Sequence, residues 1–433
     1  MRVAFYTLGC KVNAYETEAI RELFINAGYK IVDYNDYSDI YIVNSCMVTN
    51  SGERKSKQII RRPVKINPDA IIIVMGCLSQ LKAKYLLKFP GVKIVLGTKN
   101  RYNIIKYLNN YLQTKKPINK VEILDDNEEF ENLTIQDFKN HKRAFLKIQD
   151  GCNNFCSYCI IPYTRGRIRS KDKEIILEEI KALVKKGHIE IVLTGIHTGG
   201  YGKDLPEYSF ANLLEDIEEI EGIKRVRISS IEITELDKAV LNTIKKSKKI
   251  VNHLHIPLQS GSNRILKLMN RKYNKAIFKD KIEEIRELFS DDIAITTDVI
   301  VGFPSESDEE FIETYNFIKE LNFQELHVFP YSRRKGTPAD KMKEQINGII
   351  KKKRVKKLIH LSEQLKKEYI NSQLKKDKKI VLEQKKGEYL FGHSRDYLPV
   401  LVKANSELIG KEVLVTLTRV VYPNVLAKYK NVL

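Results

Sequence analysis

No stretch of this 433-residue chain is apolar for long enough to span a bilayer. The apolar runs, such as Ile71 to Met75, fall far short of the roughly 20 residues a membrane helix needs. A secretory signal is not expected, because MRVAFYTLGCK offers only a short apolar stretch before Lys11. Cysteine is scarce, with six in the whole chain. Disulfide frameworks belong mostly to small secreted domains, so pairing these six into bridges fits poorly with a chain of this length. A soluble, reduced, cytoplasmic protein is expected, with cysteines serving as metal ligands. Basic residues are absent from Val121–Asp137, which holds seven acidic ones. That segment reads as a solvated connector with room for a short helix near its end.

Positive charge is in excess. Net +20 and a pI near 9.4 suit a polyanionic partner, nucleic acid first. The alternative is a lysine-rich composition that decorates solvated faces. The run KKKRVKK at 351–357, within a long basic helix expected over 341–376, is open to both readings.

Periodicity divides the chain. In residues 1–113, Val3–Thr7, Ile40–Asn44 and Ile71–Met75 read as buried strands, and Thr17–Ala27 and Gly52–Arg62 as helices between them. This alternation predicts an open parallel sheet. Residues 114–140 are the acidic linker. Residues 141–370 predict strands at Ala144–Ile148, Glu190–Leu193, Arg225–Ser229, Val251–Ile256, Ile293–Val301 and Glu325–Phe329, separated by helices. One helix is closed by Gly187, and another opens with the capping box Ser307-x-x-Glu310. Six such units predict a partial (β/α)6 barrel with its chemistry at the carboxyl ends of the strands. Residues 371–433 end in five short strands of period two, at Lys379–Glu383, Tyr389–His393, Leu398–Lys403, Glu412–Val420 and Val425–Lys428. These predict a small closed barrel of a type that binds nucleic acid. Residues 377–433 carry ten Lys/Arg and six Asp/Glu, a modest surplus, so RNA binding there rests more on shape than on charge. The fold class is therefore α/β with a small C-terminal β-barrel.

The six cysteines form two triads. Cys152, Cys156 and Cys159 make a compact C-x3-C-x2-C directly after the first barrel strand. Cys10, Cys46 and Cys77 each lie one to three residues past a predicted strand. Carboxyl ends of parallel strands share one edge, so separations of 36 and 31 residues become proximity. Burial as small apolar residues is the alternative for these three. Three thiolates are one short of the four that enclose a cubane iron–sulfur cluster, which leaves one iron open to a ligand. S-adenosylmethionine presents the amine and carboxylate that such an iron chelates. Zinc is the competing metal, but structural zinc usually takes four ligands, and no histidine stands at a suitable offset.

GCNNFCSYCIIPYTRG resembles the signature of the radical-SAM superfamily. Nearly the whole chain resembles the methylthiotransferases within it. The matching motifs are TLGCKVN at 7–13, NSC at 44–46 with Val48 and Thr49, Gly76-Cys77 with Gln80, TGIHTGGYG at 194–202, PLQSGS at 257–262 and YSRRKGT at 331–337. Ser45 stands where threonine is usual, and Ser305 where glycine is usual.

The resemblance implies an N-terminal cluster domain, a radical-SAM barrel and a C-terminal TRAM barrel. It implies two 4Fe-4S clusters, held by Cys10/Cys46/Cys77 and by Cys152/Cys156/Cys159. Two S-adenosylmethionines serve each turnover, one as methyl donor and one as radical source. Tyr158, Thr194, Gly195, Glu232 and Gln259 fall where that family contacts the cofactor. TLGCKVN resembles the branch acting on C2 of N6-threonylcarbamoyladenosine at position 37 of tRNA, where a loop base leaves its stack readily. The isopentenyladenosine branch usually has Gln-Met in place of Lys11-Val12, and a third branch modifies a ribosomal-protein aspartate. Implied partners are a tRNA anticodon stem-loop, a flavodoxin- or ferredoxin-type reductant and a sulfur donor, with no membrane. A non-catalytic, metal-dependent RNA-binding protein is the alternative from another class.

Overall fold

Apolar runs rich in Ile and Val, flanked by helical segments, favour parallel strands covered on both faces. The N-terminal third is built this way in the computed structural model, which describes residues 1–125, 129–138, 142–290 and 292–433. Strands Arg2–Thr7 (β1), Lys30–Val32 (β2), Ile40–Ser45 (β3), Ile71–Gly76 (β4), Val92–Leu96 (β5) and Ile118–Lys120 (β6) form one sheet in the order β2-β1-β3-β4-β5-β6. Every pairing is parallel. All residues of β3 and β4 are buried. The expected β1, β3 and β4 are joined by three strands that the periodicity did not reveal. Two of these, β2 and β6, are edge strands of three residues each, too short for a pattern to register.

The six predicted barrel strands are all present: Arg143–Lys147 (β7), Glu190–Thr194 (β10), Arg225–Ile228 (β11), His253–His255 (β12), Ala294–Val301 (β13) and Glu325–Pro330 (β14). A small antiparallel pair, Gln149–Asp150 (β8) with Arg169–Ser170 (β9), brackets the cysteine loop. Strands β7, β10 and β11 form one parallel sheet and β12, β13 and β14 another. A parallel bridge between Val226 and Ile250 joins the two. The arc leaves β7 and β14 as edges, and the helix Lys11–Asn26 of the first unit packs beside β7. The Ser307/Glu310 capping box forms in full. Ser305 adopts φ +63°, a conformation in which glycine is at ease, and its hydroxyl and carbonyl both accept from Arg264.

Strands Asp377–Lys386 (β15), Tyr389–Ser394 (β16), Pro399–Val402 (β17), Glu412–Val421 (β18) and Asn424–Val432 (β19) close a barrel in the order β15-β16-β17-β19-β18. Val413, Val415 and Leu417 point into its core with Ile380 and Val400, as period two requires. This barrel is pinned to the larger one by the buried Arg225 and the half-buried Arg395. Arg225 donates to Glu412 at 2.6 Å and to the His393 carbonyl at 2.9 Å, and Arg395 donates to the Lys248 carbonyl at 2.7 Å.

Two segments differ from expectation. Leu133, Ile135 and Phe138 of the acidic segment are buried in the main core, so this stretch docks between units instead of lying in solvent. The Leu133 carbonyl accepts from the Tyr15 hydroxyl at 2.6 Å. No helix is seen in 129–138, and residues 126–128 and 139–140 of the expected linker lie outside the described residues. The basic run lies on the helix Gly348–Gln373. Lys352, Lys353, Lys356 and Lys357 are exposed, but Arg354 is buried and ion-paired with Glu306. Among the described residues no helix is long and apolar enough to cross a membrane.

Candidate functional site

Strands β1, β3 and β4 are neighbours, so their carboxyl ends share one sheet edge. Cys10 follows β1 by three residues and caps the helix Lys11–Asn26. Cys46 directly follows β3, and Cys77 follows β4 as the first residue of the helix Cys77–Leu86. Asn13 ties these loops together. Its amide donates to the Leu8 carbonyl at 2.7 Å and to Asn44 Oδ1 at 3.3 Å. Its Oδ1 lies 3.6 Å from Cys10 Sγ. Two glycines are required by crowding. A Cβ on Gly9 (φ +109°) would stand 3.2 Å from Cys46 Cβ, and one on Gly76 (φ +96°) would stand 2.4 Å from Asn44 Oδ1.

Arg165 sits behind this triad. It donates to Asn13 Oδ1 at 2.8 Å and to Glu16 at 2.5 Å, and it pairs with Asp150 at 3.1 Å. Glu16 also receives Arg101 at 2.7 Å and Lys147 at 2.9 Å. All of these side chains are buried. Burial by itself would raise the Glu16 carboxyl, but Arg101, Arg165 and Lys147 together hold it well below the usual range. The network crosses from the sheet (Glu16, Arg101) to the barrel (Lys147, Asp150, Arg165). Burial raises the Cys10 thiol and pushes Cys46 up to about 11, and the Arg165 charge opposes both shifts.

The second triad occupies the loop between β8 and β9. Within it the Cys159 amide donates to the Cys156 carbonyl at 2.9 Å, and Phe155 turns the chain at φ +48°. Arg271 donates to Cys156 Sγ at 3.2 Å and pairs with Glu232. Burial pushes Cys159 up to about 12, with the neighbouring Cys156 thiol adding to the shift. His197 lies beside Cys152 and 3.2 Å from Glu235. Burial would lower its pKa, but these two partners push it up to about 9. Cys159 leads into the short helix Ile161–Arg165, so a few residues connect the two triads.

A cavity of about 240 Å³ opens beside Cys159. Val48 and Thr49 from the sheet unit face Tyr158, Cys159, Gln259 and Asp298 from the barrel. Gln259 holds φ +67°, and its buried Oε1 has no partner. Cys10 and Lys11 are exposed, and Cys159 is half-buried at the cavity wall. A larger groove of about 640 Å³, lined by Arg54, Lys57, Arg61, Arg62 and Lys65, contains no cysteine. It is a basic surface suited to phosphate contact.

The sequence-predicted residues thus divide into groups. Tyr158, Cys159 and Gln259 share the cavity. Glu232 stands with Cys156 in a smaller cleft beside it. Thr194 ends β10, and Gly195 turns so tightly that a Cβ would lie 2.9 Å from Gln149 Oε1. Arg165, Arg271 and Asn13 were not anticipated, since each acts through partners distant in sequence.

The donors are thiols, the ligand type of iron–sulfur clusters, three to each group. Among the described residues no three His, Cys, Asp or Glu side chains converge closely enough for one metal ion. A cubane binds each thiolate through a different iron, so it needs a wider triad than zinc does. Arg165 and Arg271 supply positive charge where thiolates would gather. The unpartnered Gln259 Oε1 offers an acceptor to a ligand in the cavity.

Comparison with known proteins agrees. The profile of the Radical SAM superfamily matches residues 146–318, and that of Uncharacterized protein family UPF0004 matches residues 2–97. The chain is 48% identical over 427 residues to the threonylcarbamoyladenosine tRNA methylthiotransferase MtaB of Bacillus subtilis (strain 168), covering 97% of this chain and 94% of that protein. It is 40% identical over 388 residues to MtaB of Aquifex aeolicus (strain VF5), covering 89% and 93%. It is 42% identical over 362 residues to a tRNA-2-methylthio-N(6)-dimethylallyladenosine synthase of Clostridium tetani (strain Massachusetts / E88), covering 82% and 79%. Among solved structures, the radical S-adenosylmethionine methyltransferase TsrM from Kitasatospora setae, with cobalamin and a 4Fe-4S cluster bound, aligns with TM-score 0.58 at 12% identity. That alignment covers 78% of this chain and 76% of TsrM, a likeness of fold alone.

Proposed function

The chain belongs to the radical-SAM methylthiotransferase family, and from that premise we propose that it methylthiolates C2 of N6-threonylcarbamoyladenosine at position 37 of tRNA. Membership of the family implies S-adenosylmethionine and a 4Fe-4S cluster. In our reading Cys152, Cys156 and Cys159 hold that cluster, and Cys10, Cys46 and Cys77 hold a second one. When bound, the two clusters and two S-adenosylmethionines per turnover supply the carbon radical and the methylthio group.

The remaining tasks fall to the protein. Gln259, Glu232, Tyr158 and the Thr194–Gly195 turn orient the cofactor. Val48, Thr49 and Phe329 wall the cavity against water. The TRAM-like barrel and the basic outer face take the anticodon stem-loop. We divide the chain into a cluster domain extended from 1–113 to residue 120, because β6 completes its sheet, a linker (121–140), a radical-SAM domain (141–370) and a TRAM domain (371–433). A flavodoxin- or ferredoxin-type reductant and a sulfur donor complete the system, which we place in the cytoplasm.

The substrate assignment rests on the 48% identity, spanning 97% of the chain, to a protein named for that activity. Mass spectrometry of tRNA nucleosides from a deletion strain tests it. Loss of 2-methylthio-N6-threonylcarbamoyladenosine with accumulation of its unthiolated precursor is expected. Persistence of that product, or loss of the isopentenyl analogue instead, refutes it.

A further inference from the structure

Dimethylallyl and threonylcarbamoyl groups on N6 differ in charge. The first is apolar, and the second ends in a carboxylate. A site that accepts the second must satisfy that anion, because burying an unpaired carboxylate is prohibitive.

Around the first turn of the helix Lys11–Asn26, cations gather. Lys11 follows Cys10 and opens the helix that packs beside β7. Among the described residues its ammonium has no carboxylate partner, and the groups acting on it most strongly are Tyr397, Arg227, Arg143 and Cys10. The two arginines are already paired, Arg143 with Glu383 at 3.3 Å and Arg227 with Glu190 at 3.1 Å. They hold Tyr397 between them, with guanidinium carbons 5.6 and 4.6 Å from its ring centre. His253 lies 5.1 Å from the same ring. Among the described residues its buried Nδ1 has no partner. A lysine without a carboxylate partner among the described residues therefore stands beside the Arg143–Tyr397–Arg227 group. Lys11 directly follows Cys10, which our reading of the function makes a ligand of the second cluster.

We propose that Lys11, backed by Arg143 and Arg227, receives the threonyl carboxylate of the substituent on N6, and so selects the acidic nucleoside over an apolar one. The proposal rests on the substrate reading above. It also gives a physical role to Lys11, which stands where the isopentenyladenosine branch usually has glutamine.

The test uses the holoenzyme with both clusters loaded. Three anticodon stem-loops are compared: one with N6-threonylcarbamoyladenosine, one with the same group as its neutral carboxamide, and one with unmodified adenosine. Dissociation constants and single-turnover rates are measured for wild type, Lys11→Gln and Lys11→Arg, with iron content recorded for each. Wild type is expected to prefer acid over amide by about 10- to 100-fold, the worth of one charge-assisted hydrogen bond. Lys11→Gln should abolish the preference, and Lys11→Arg should keep most of it. Equal wild-type affinity for acid and amide overturns the proposal, whatever the variants do. So does a Lys11→Gln enzyme that is weakened equally toward both but still prefers the acid. A wild type that ignores the acidic stem-loop and modifies none of it instead overturns the substrate assignment, and the proposal falls with it.

Discussion

Replacing Glu16 with glutamine should loosen the joint between the sheet unit and the barrel. Glu16 is the carboxylate shared by Arg101, Lys147 and Arg165, at 2.7, 2.9 and 2.5 Å and entirely buried. Glutamine keeps the shape but leaves these cations with only Asp150 and Glu131. Breaking a buried pair from one side costs about 3–5 kcal/mol. If the 433 residues unfold together, the entropy at the midpoint is about 0.9 kcal/mol/K, from about 2.1 cal/mol/K per residue. The midpoint should then fall by about 3–6 °C at pH 7. The pH dependence fixes the sign. The folded protein depresses the Glu16 pKa, so this stability is fully present above the unfolded value of about 4.3 and is lost as pH falls through the folded one. The gap between wild type and variant should therefore narrow in acid. Differential scanning calorimetry at pH 7 and again at about pH 3, below the unfolded carboxyl value, reads both effects. An unchanged midpoint at pH 7, or a gap that widens in acid, refutes the reasoning.

Other predictions address the site. Cys→Ala at 152, 156 or 159 should end formation of 5′-deoxyadenosine, whereas Cys→Ala at 10, 46 or 77 should leave it and abolish the methylthio product; mass spectrometry follows both compounds. Gly76→Ala drives a methyl group to within 2.4 Å of Asn44 Oδ1 at a positive φ. Iron should then drop from about eight per chain toward four, by anaerobic iron analysis, while the C-x3-C-x2-C cluster signal persists. Affinity for an anticodon stem-loop should fall steeply as salt rises, because neutralising phosphates releases counterions. A flat salt dependence in a titration would argue that the net charge of +20 serves no RNA contact.

Much of the architecture was legible because it is written locally. Alternation of apolar runs with amphipathic segments predicted six barrel strands, and period two predicted the closed C-terminal barrel. The missed strands β2 and β6 have three residues each, and edge positions impose little pattern. The acidic segment misled for a different reason. Its charge suggested solvent, yet Leu133, Ile135 and Phe138 are spaced to anchor it in the core, and Glu131 serves as a buried partner for Arg101.

The sequence alone determined the grouping of the thiols. Three cysteines within eight residues must share a loop, and three cysteines just past parallel strands must share an edge. Both follow from chain geometry over short distances or from the common direction of strands. Tertiary structure decided what surrounds them. Arg165 meets Glu16 across 149 residues, Arg271 meets Cys156 across 115, and Lys11 faces Tyr397 from the opposite end of the chain. A charge takes its partner from whatever packing brings near. No periodicity records that choice, so the electrostatics of the hollow emerged only when the three units were docked together.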